Sequence, residues 1–226
     1  MPLSTGVVIQ DRYRIDEVLG KGGFGTVYRV HDVKLDCDWA MKENLDISED
    51  AQRQFMREAR MLAALRHPNL ARVTDYFILP ERGQYLVMDF IEGEDLAHRL
   101  ISEGPLPVNS VMDALLQIGS ALIYLHRQDP PIIHRDIKPA NIKITPQGQA
   151  VLVDFGIAKH YDPARRTTAA AQAVTPGFSP LEQYGMSPTD ARSDIYALAA
   201  TDAPPSGSRP WPPERKYLSG PLAHPF

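Results

Sequence analysis

The sequence predicts an α+β chain of two lobes, the first β-rich and the second helical. Three observations carry that prediction. The first ninety residues read as short β-type runs around one helical segment, and Val108 to Arg127 carries a long apolar period of helical spacing. The character changes between them at Phe90-Ile91-Glu92-Gly93, a short strap. A length of 226 residues suffices for one large domain or two small ones. Hydrophobic content of 43% with 23% charged residues is enough for a buried core. A net charge of −4 gives no basis for a nucleic-acid or anionic-membrane partner. The single cysteine, Cys37, excludes an internal disulfide framework and fits a reducing compartment. No apolar run is read as approaching the roughly 18 residues that span a bilayer. The N-terminal MPLSTGVVIQDRY lacks a secretory pattern, so a cytoplasmic chain without a membrane segment is expected.

Taken in order, Tyr13 to Leu19, Thr26 to His31 and Asp38 to Glu43 are strand-like, the first two separated by a glycine cluster. Glu49 to Leu65 is helical, with Phe55, Ala59, Leu62 and Leu65 on one face, and His67-Pro68-Asn69 ends it. Ala71 to Leu79 and Gln84 to Asp89 are strands joined by a turn at Glu81-Arg82-Gly83. The helix from Val108 to Arg127 aligns Val111, Leu115, Ile118, Leu122 and Leu125, and short strands follow near Ile132, Ile142 and Val151. Ser193-Asp194-Ile195-Tyr196-Ala197-Leu198 opens another helix. From Asp202 to Phe226, seven prolines and no apolar period give an extended or disordered tail.

Chemistry begins at Gly20-Lys21-Gly22-Gly23-Phe24-Gly25-Thr26-Val27, which has glycines where a backbone can approach phosphate oxygens without an obstructing β-carbon. Alone it reads equally as a hairpin turn. A strand-like Thr-Val-Tyr-Arg-Val follows where a dinucleotide-binding fold needs a helix, which excludes that fold. Lys42, in Ala40-Met41-Lys42, is an edge charge or a phosphate ligand; the second needs a carboxylate from the next helix, and Glu58 is positioned to supply it. In His134-Arg135-Asp136-Ile137-Lys138-Pro139-Ala140-Asn141 one tight loop carries a base for a hydroxyl, a cation for a transferred phosphoryl group and an amide ligand for Mg²⁺. Thirteen residues beyond Asn141, Asp154-Phe155-Gly156 leaves a buried strand with an acidic group suited to a hard cation.

In this order and at these distances, GKGGFGTV, AMK, REA, HRDIKPAN and DFG make the chain resemble the bacterial eukaryotic-like Ser/Thr protein kinases from about Tyr13 to Thr201. The resemblance implies a two-lobed protein-kinase-like fold: an N-terminal extension over 1–12, an N-lobe over 13–88, a hinge over 89–92, a partial C-lobe over 93–201 and a tail over 202–226. It implies ATP with Mg²⁺, or Mn²⁺ in its place, and transfer of the γ-phosphoryl group to Ser/Thr hydroxyls of proteins. Lys42 then pairs the phosphates and Glu58, Asp136 is the base, and Lys138 neutralises the γ-phosphoryl group. Asn141 and Asp154 hold the metal. Gly20, Lys21, Gly22, Gly23, Phe24 and Gly25 cover the phosphates. Met88 is the gatekeeper, the backbone of Asp89 and Ile91 bonds adenine, and Asp95 meets the ribose. Val27, Ala40 and either Ile144 or Val153 line the adenine pocket. Thr175 contacts Asp136 and Lys138. Thr167 and Thr168 are either self-phosphorylation sites facing Arg135 or unmodified threonines of a polar loop.

The family's Ala-Pro-Glu is here Pro180-Leu181-Glu182, and the arginine expected to pair with Glu182 is not found. The resemblance stops after Thr201, and a frameshift or truncation there is the expectation, with the apolar underside of the 108–127 helix left exposed. An inactive fragment that keeps nucleotide binding or a scaffold role is the alternative. A small-molecule kinase is weaker, because Thr175-Pro176-Gly177-Phe178-Ser179 before Glu182 favours a protein substrate.

Overall fold

The computed structural model describes residues 3–22, 25–80, 82–154, 159–160, 175, 177–184 and 189–202. The chain divides into two compact units, Met1–Glu94 with Lys143–Asp154, and Asp95–Ile142 with Phe155–Phe226.

The first unit is built on β1 (Val8–Ile9), β2 (Tyr13–Gly22), β3 (Gly25–Asp32), β4 (Cys37–Asn44), β5 (Val73–Leu79) and β6 (Gly83–Asp89), in the spatial order β1-β2-β3-β4-β6-β5. Every described pairing in this sheet is antiparallel. Burial alternates strictly along β3, so Tyr28 and Val30 enter the core while Val27, Arg29 and His31 face away. The core joins Ile9, Tyr13, Ile15, Tyr28, Val30, Met41, Tyr85 and Val87. One buried carboxylate lies inside it: Glu43 accepts from Tyr28 Oη at 2.8 Å and from Tyr85 Oη at 2.9 Å. Burial, then these bonds, raises the Tyr85 hydroxyl above its ordinary range.

Helix α1 (Glu49–Ala64) starts at Ser48, whose side chain accepts from Ala51 N, with Glu49 and Asp50 in its first turn. Ala59, Leu62 and Leu65 are buried as their spacing predicts, and Phe55 meets Tyr76 of β5 edge to face at 6.4 Å.

The chain passes between the units three times, after Glu94, Ile142 and Asp154. The strap follows β6 into β7 (Glu94–Asp95), and β9 (Ile142–Ile144) leads back to β10 (Ala150–Leu152). Sequence order alone assigns Lys143–Asp154 to the second half. Backbone bonds tie it to the first unit: Ala71 N donates to Leu152 O at 3.1 Å and Leu152 N to Asn69 O at 2.9 Å. Asn69 Nδ2 adds a bond to Ala150 O at 2.7 Å.

The second unit holds α2 (Leu96–Ser102), α3 (Val108–His126), β8 (Ile132–Ile133), a 3₁₀ turn at Pro139–Asn141, β11 (Lys159–His160), α4 (Leu181–Tyr184) and α5 (Ala191–Asp202). Ile118, Leu122 and Leu125 of α3 are fully buried, while Val111 and Leu115 of the same stripe are only partly covered. Val108, Met112, Leu116 and Ile123 are exposed, Val108 at 75% and Leu116 at 68%. By length and composition α3 could cross a membrane, which corrects the reading that no run approaches that size. One face of it is fully buried and packs on α5. Helix α5 continues through Asp202, one residue into the segment set apart as the tail; residues 203–226 lie outside the described residues.

Candidate active site

In the first unit the sheet register brings together several residues expected to face the nucleotide. Val27 pairs with Lys42, Lys42 with Leu86, and Ala40 with Met88. Directly opposed residues share a face, and so do residues two apart on a strand. Val27, Ala40, Lys42 and Met88 therefore lie on one face, opposite the one on which Met41 and Glu43 enter the core. The glycine segment is a hairpin: Gly20 pairs with Val27, Lys21 with Thr26 and Gly22 with Gly25. Gly25 has φ +144°, and a β-carbon on it would lie 1.8 Å from Glu43 O, so only glycine fits against β4. Gly23 and Phe24 lie outside the described residues.

Lys42 forms its ion pair with Asp154, not with Glu58. The expected pairing is corrected, and the packing gives the reason. The bonds to Asn69–Ala71 bring β10 alongside the sheet, and Asp154 follows two residues later. Glu58 instead accepts from Gln54 Nε2 at 2.7 Å, one turn earlier on the exposed side of α1. Asp154 has φ +63°, a left-handed conformation that aspartate tolerates better than most residues.

The residue that leads into the strap, Asp89, is bonded to Arg72. The N–H of Asp89 donates to Arg72 O at 3.0 Å, so this amide is already used within the sheet edge and is not the group for the expected adenine bond. The Asp89 carboxylate accepts from Arg72 N at 2.9 Å. Asp95, expected at the ribose, caps α2 by accepting from His98 N at 2.9 Å.

In the second unit four predicted residues form a closed network. Asp136 Oδ1 accepts from Thr175 Oγ1 at 2.9 Å. Asp136 Oδ2 meets Lys138 Nζ at 2.9 Å and Asn141 Nδ2 at 2.9 Å. Lys138 Nζ also approaches Thr175 Oγ1 at 3.4 Å, and Asn141 Nδ2 donates to Asp136 O at 2.8 Å. With its nitrogen committed to Asp136, Asn141 keeps its side-chain oxygen for a cation. That oxygen is a hard donor of the kind Mg²⁺ takes, and in the first unit the Asp154 carboxylate is another, so each residue by its own chemistry suits the expected ligand role. Phe155, Gly156, Thr167 and Thr168 lie outside the described residues.

The loop is held by a residue whose role the sequence did not reveal. Asp194, fully buried on α5, accepts from His134 N at 2.9 Å, Arg135 N at 2.8 Å and His126 Nε2 at 2.8 Å. Gln183 Nε2 adds a bond to Arg135 O at 3.0 Å. Arg135 sits at φ +69°, so its backbone is strained and these bonds fix it. Glu182, for which no arginine was found, accepts from Ser193 Oγ at 2.8 Å. The position of Asp194 in the first turn of a helix was legible; its bonds across sixty residues of sequence were not.

An aspartate bonded by lysine, amide and hydroxyl on one loop, in a chain whose sheet carries a glycine hairpin and a lysine paired with Asp154, is the arrangement of the protein-kinase class. The chain belongs to the protein kinase domain family, which it matches over residues 13–214. It is 36% identical over 216 residues to the serine/threonine-protein kinase PknA of Mycobacterium tuberculosis, covering 92% of this chain and 49% of that protein. It is 35% identical to the kinase pkn2 of Myxococcus xanthus, covering 94% and 27% of the two. Against PknB of Mycobacterium leprae the identity is 34%, with 87% and 32% covered. The chain thus spans about half the length of these curated relatives or less. Among solved structures it resembles the Mycobacterium tuberculosis PknI kinase domain, with a TM-score of 0.72 and 28% identity over 99% of this chain and 82% of that one.

Proposed function

We propose that the protein transfers the γ-phosphoryl group of ATP to Ser or Thr hydroxyls of proteins. The observation that carries this is the network on Asp136. Asp136 takes the proton of the substrate hydroxyl while that oxygen bonds to the γ-phosphorus. The bond from phosphorus to the bridging oxygen breaks, and its electron pair leaves with ADP. Lys138, 2.9 Å from Asp136, is a cation ready for the transferred group. Lys42 supplies the phosphate-binding charge on the sheet. Asn141 and Asp154 would hold Mg²⁺, or Mn²⁺ in its place, which supplies charge neutralisation at the phosphate oxygens. The experiment is γ-phosphate transfer to a generic Ser/Thr protein by the full chain beside Asp136→Asn. The variant is expected to lose about 10²–10⁴-fold in rate; equal transfer by both would overturn the reading. Mass spectrometry of the same reaction tests self-phosphorylation at Thr167 and Thr168.

A second reading, nucleotide binding without transfer, is favoured by one observation: Lys42 is paired with Asp154 rather than Glu58. It requires ATP binding by both wild type and Asp136→Asn, with transfer by neither.

A further inference from the structure

We propose that Lys143 is a positioning residue for the nucleotide, tying the strap Phe90–Gly93 to β9 and so fixing the backbone groups that meet adenine. This rests on the kinase reading above. Three contacts within the first unit converge on the strap. Lys143 Nζ donates to Gly93 O at 2.9 Å. The same ammonium lies 6.0 Å from the Phe90 ring centroid, and the Arg29 guanidinium lies 5.3 Å from it. Arg29 is itself oriented by Asp38, with Nη2 2.8 Å from Oδ2. Finally, Gly93 has φ +118°, and a β-carbon on it would stand 2.1 Å from Ile144 O, so the strap backbone lies directly against β9.

Each contact has a physical consequence. A charged donor on a carbonyl is the stronger kind of hydrogen bond. Cations beside an aromatic ring add attraction through its quadrupole. The strap is four residues long and has no side-chain ligand of its own for adenine in the kinase reading. Its affinity therefore depends on holding a carbonyl at Asp89 and backbone groups at Ile91 in place before binding. Asp89 is secured from the β5 side by Arg72; Lys143 secures the other end. The lysine is one residue after β9 begins, in a position that no motif in the chain assigns.

The test uses the full chain with Lys143→Met, which keeps an apolar stem and removes the donor, and Lys143→Arg, which restores a donor. Lys143→Met is expected to raise KM for ATP about three- to tenfold with kcat within about twofold, and Lys143→Arg to return KM to within about twofold of wild type. A KM unchanged in Lys143→Met, or raised equally in Lys143→Arg, overturns the proposal. Amide hydrogen exchange of residues 90–93 in ATP-free protein separates this from the kinase reading. Faster strap exchange in Lys143→Met alone supports the fastening even if the wild type transfers no phosphate. Unchanged exchange refutes the fastening whatever the wild type does.

Discussion

The two units place their functional residues by opposite means. In the first, position follows from repetition: Val27, Ala40, Lys42 and Met88 share a face because strands alternate and their register is fixed by a core containing Tyr28, Met41 and Tyr85. In the second, Asp136, Lys138 and Asn141 sit on a loop without repeating geometry, and one buried carboxylate, Asp194, holds its backbone. A sheet spreads responsibility over many bonds. A loop concentrates it in few, so single substitutions should be far more damaging in the second unit.

The largest expected effect tests that contrast directly. Asp194→Ala strands two buried backbone N–H groups and His126, and should cost the second unit about 3–5 kcal/mol. Urea unfolding followed by hydrogen exchange should then show β8 and the catalytic loop opening while β2–β4 stay protected. Equal loss in both units would break the comparison. Next is Gly93→Ala, which must move β9 or the strap to relieve a 2.1 Å approach. A loss of about 2–3 kcal/mol in the first unit is expected, read as a lowered urea midpoint.

A smaller effect is pH dependence in the first unit. Burial pushes the Asp32 carboxyl up, but the Arg12 guanidinium and the N–H groups of Lys34 and Leu35 outweigh it and hold it below its ordinary value of 3.8. A lowered carboxyl stabilises the fold above its unfolded value, and that contribution disappears as pH falls through the folded one. Thermal midpoints of the wild type should therefore drop below about pH 4, and Asp32→Asn should flatten that drop. The smallest effect on stability belongs to Leu116→Gln, at a 68% exposed position on α3. Folding energy should change by less than about 0.5 kcal/mol, whereas light scattering on warming should fall if the exposed stripe drives association.

Much of this was legible in sequence, for identifiable reasons. Alternation along β3 and the 3–4 spacing of Ala59, Leu62 and Leu65 are local properties, and the structure follows them. Asp136, Lys138, Asn141 and Thr175 were legible because their motif types and spacings leave few other uses, and they meet within 3.4 Å. The partner of Lys42 was not legible. Glu58 and Asp154 are both carboxylates at suitable separations, and the choice depends on β10 docking beside Asn69–Ala71, a long-range event. Asp95 is a carboxylate just before a helix, a pattern that suits a helix cap as well as a ribose contact. The work of Asp194 and Lys143 leaves no local mark, since each acts on backbone groups distant in sequence.

The return of Lys143–Asp154 to the first unit has a practical consequence for anyone dissecting the protein. A piece ending at Glu94 would lack the strand that seals Asn69–Ala71 and the carboxylate that meets Lys42. A nick near Pro105 in the intact chain would leave both in place, held by hydrogen bonds after the covalent path is cut. Two fragments mixed from either side of that nick should reassemble the first unit, whereas the N-terminal piece alone should not.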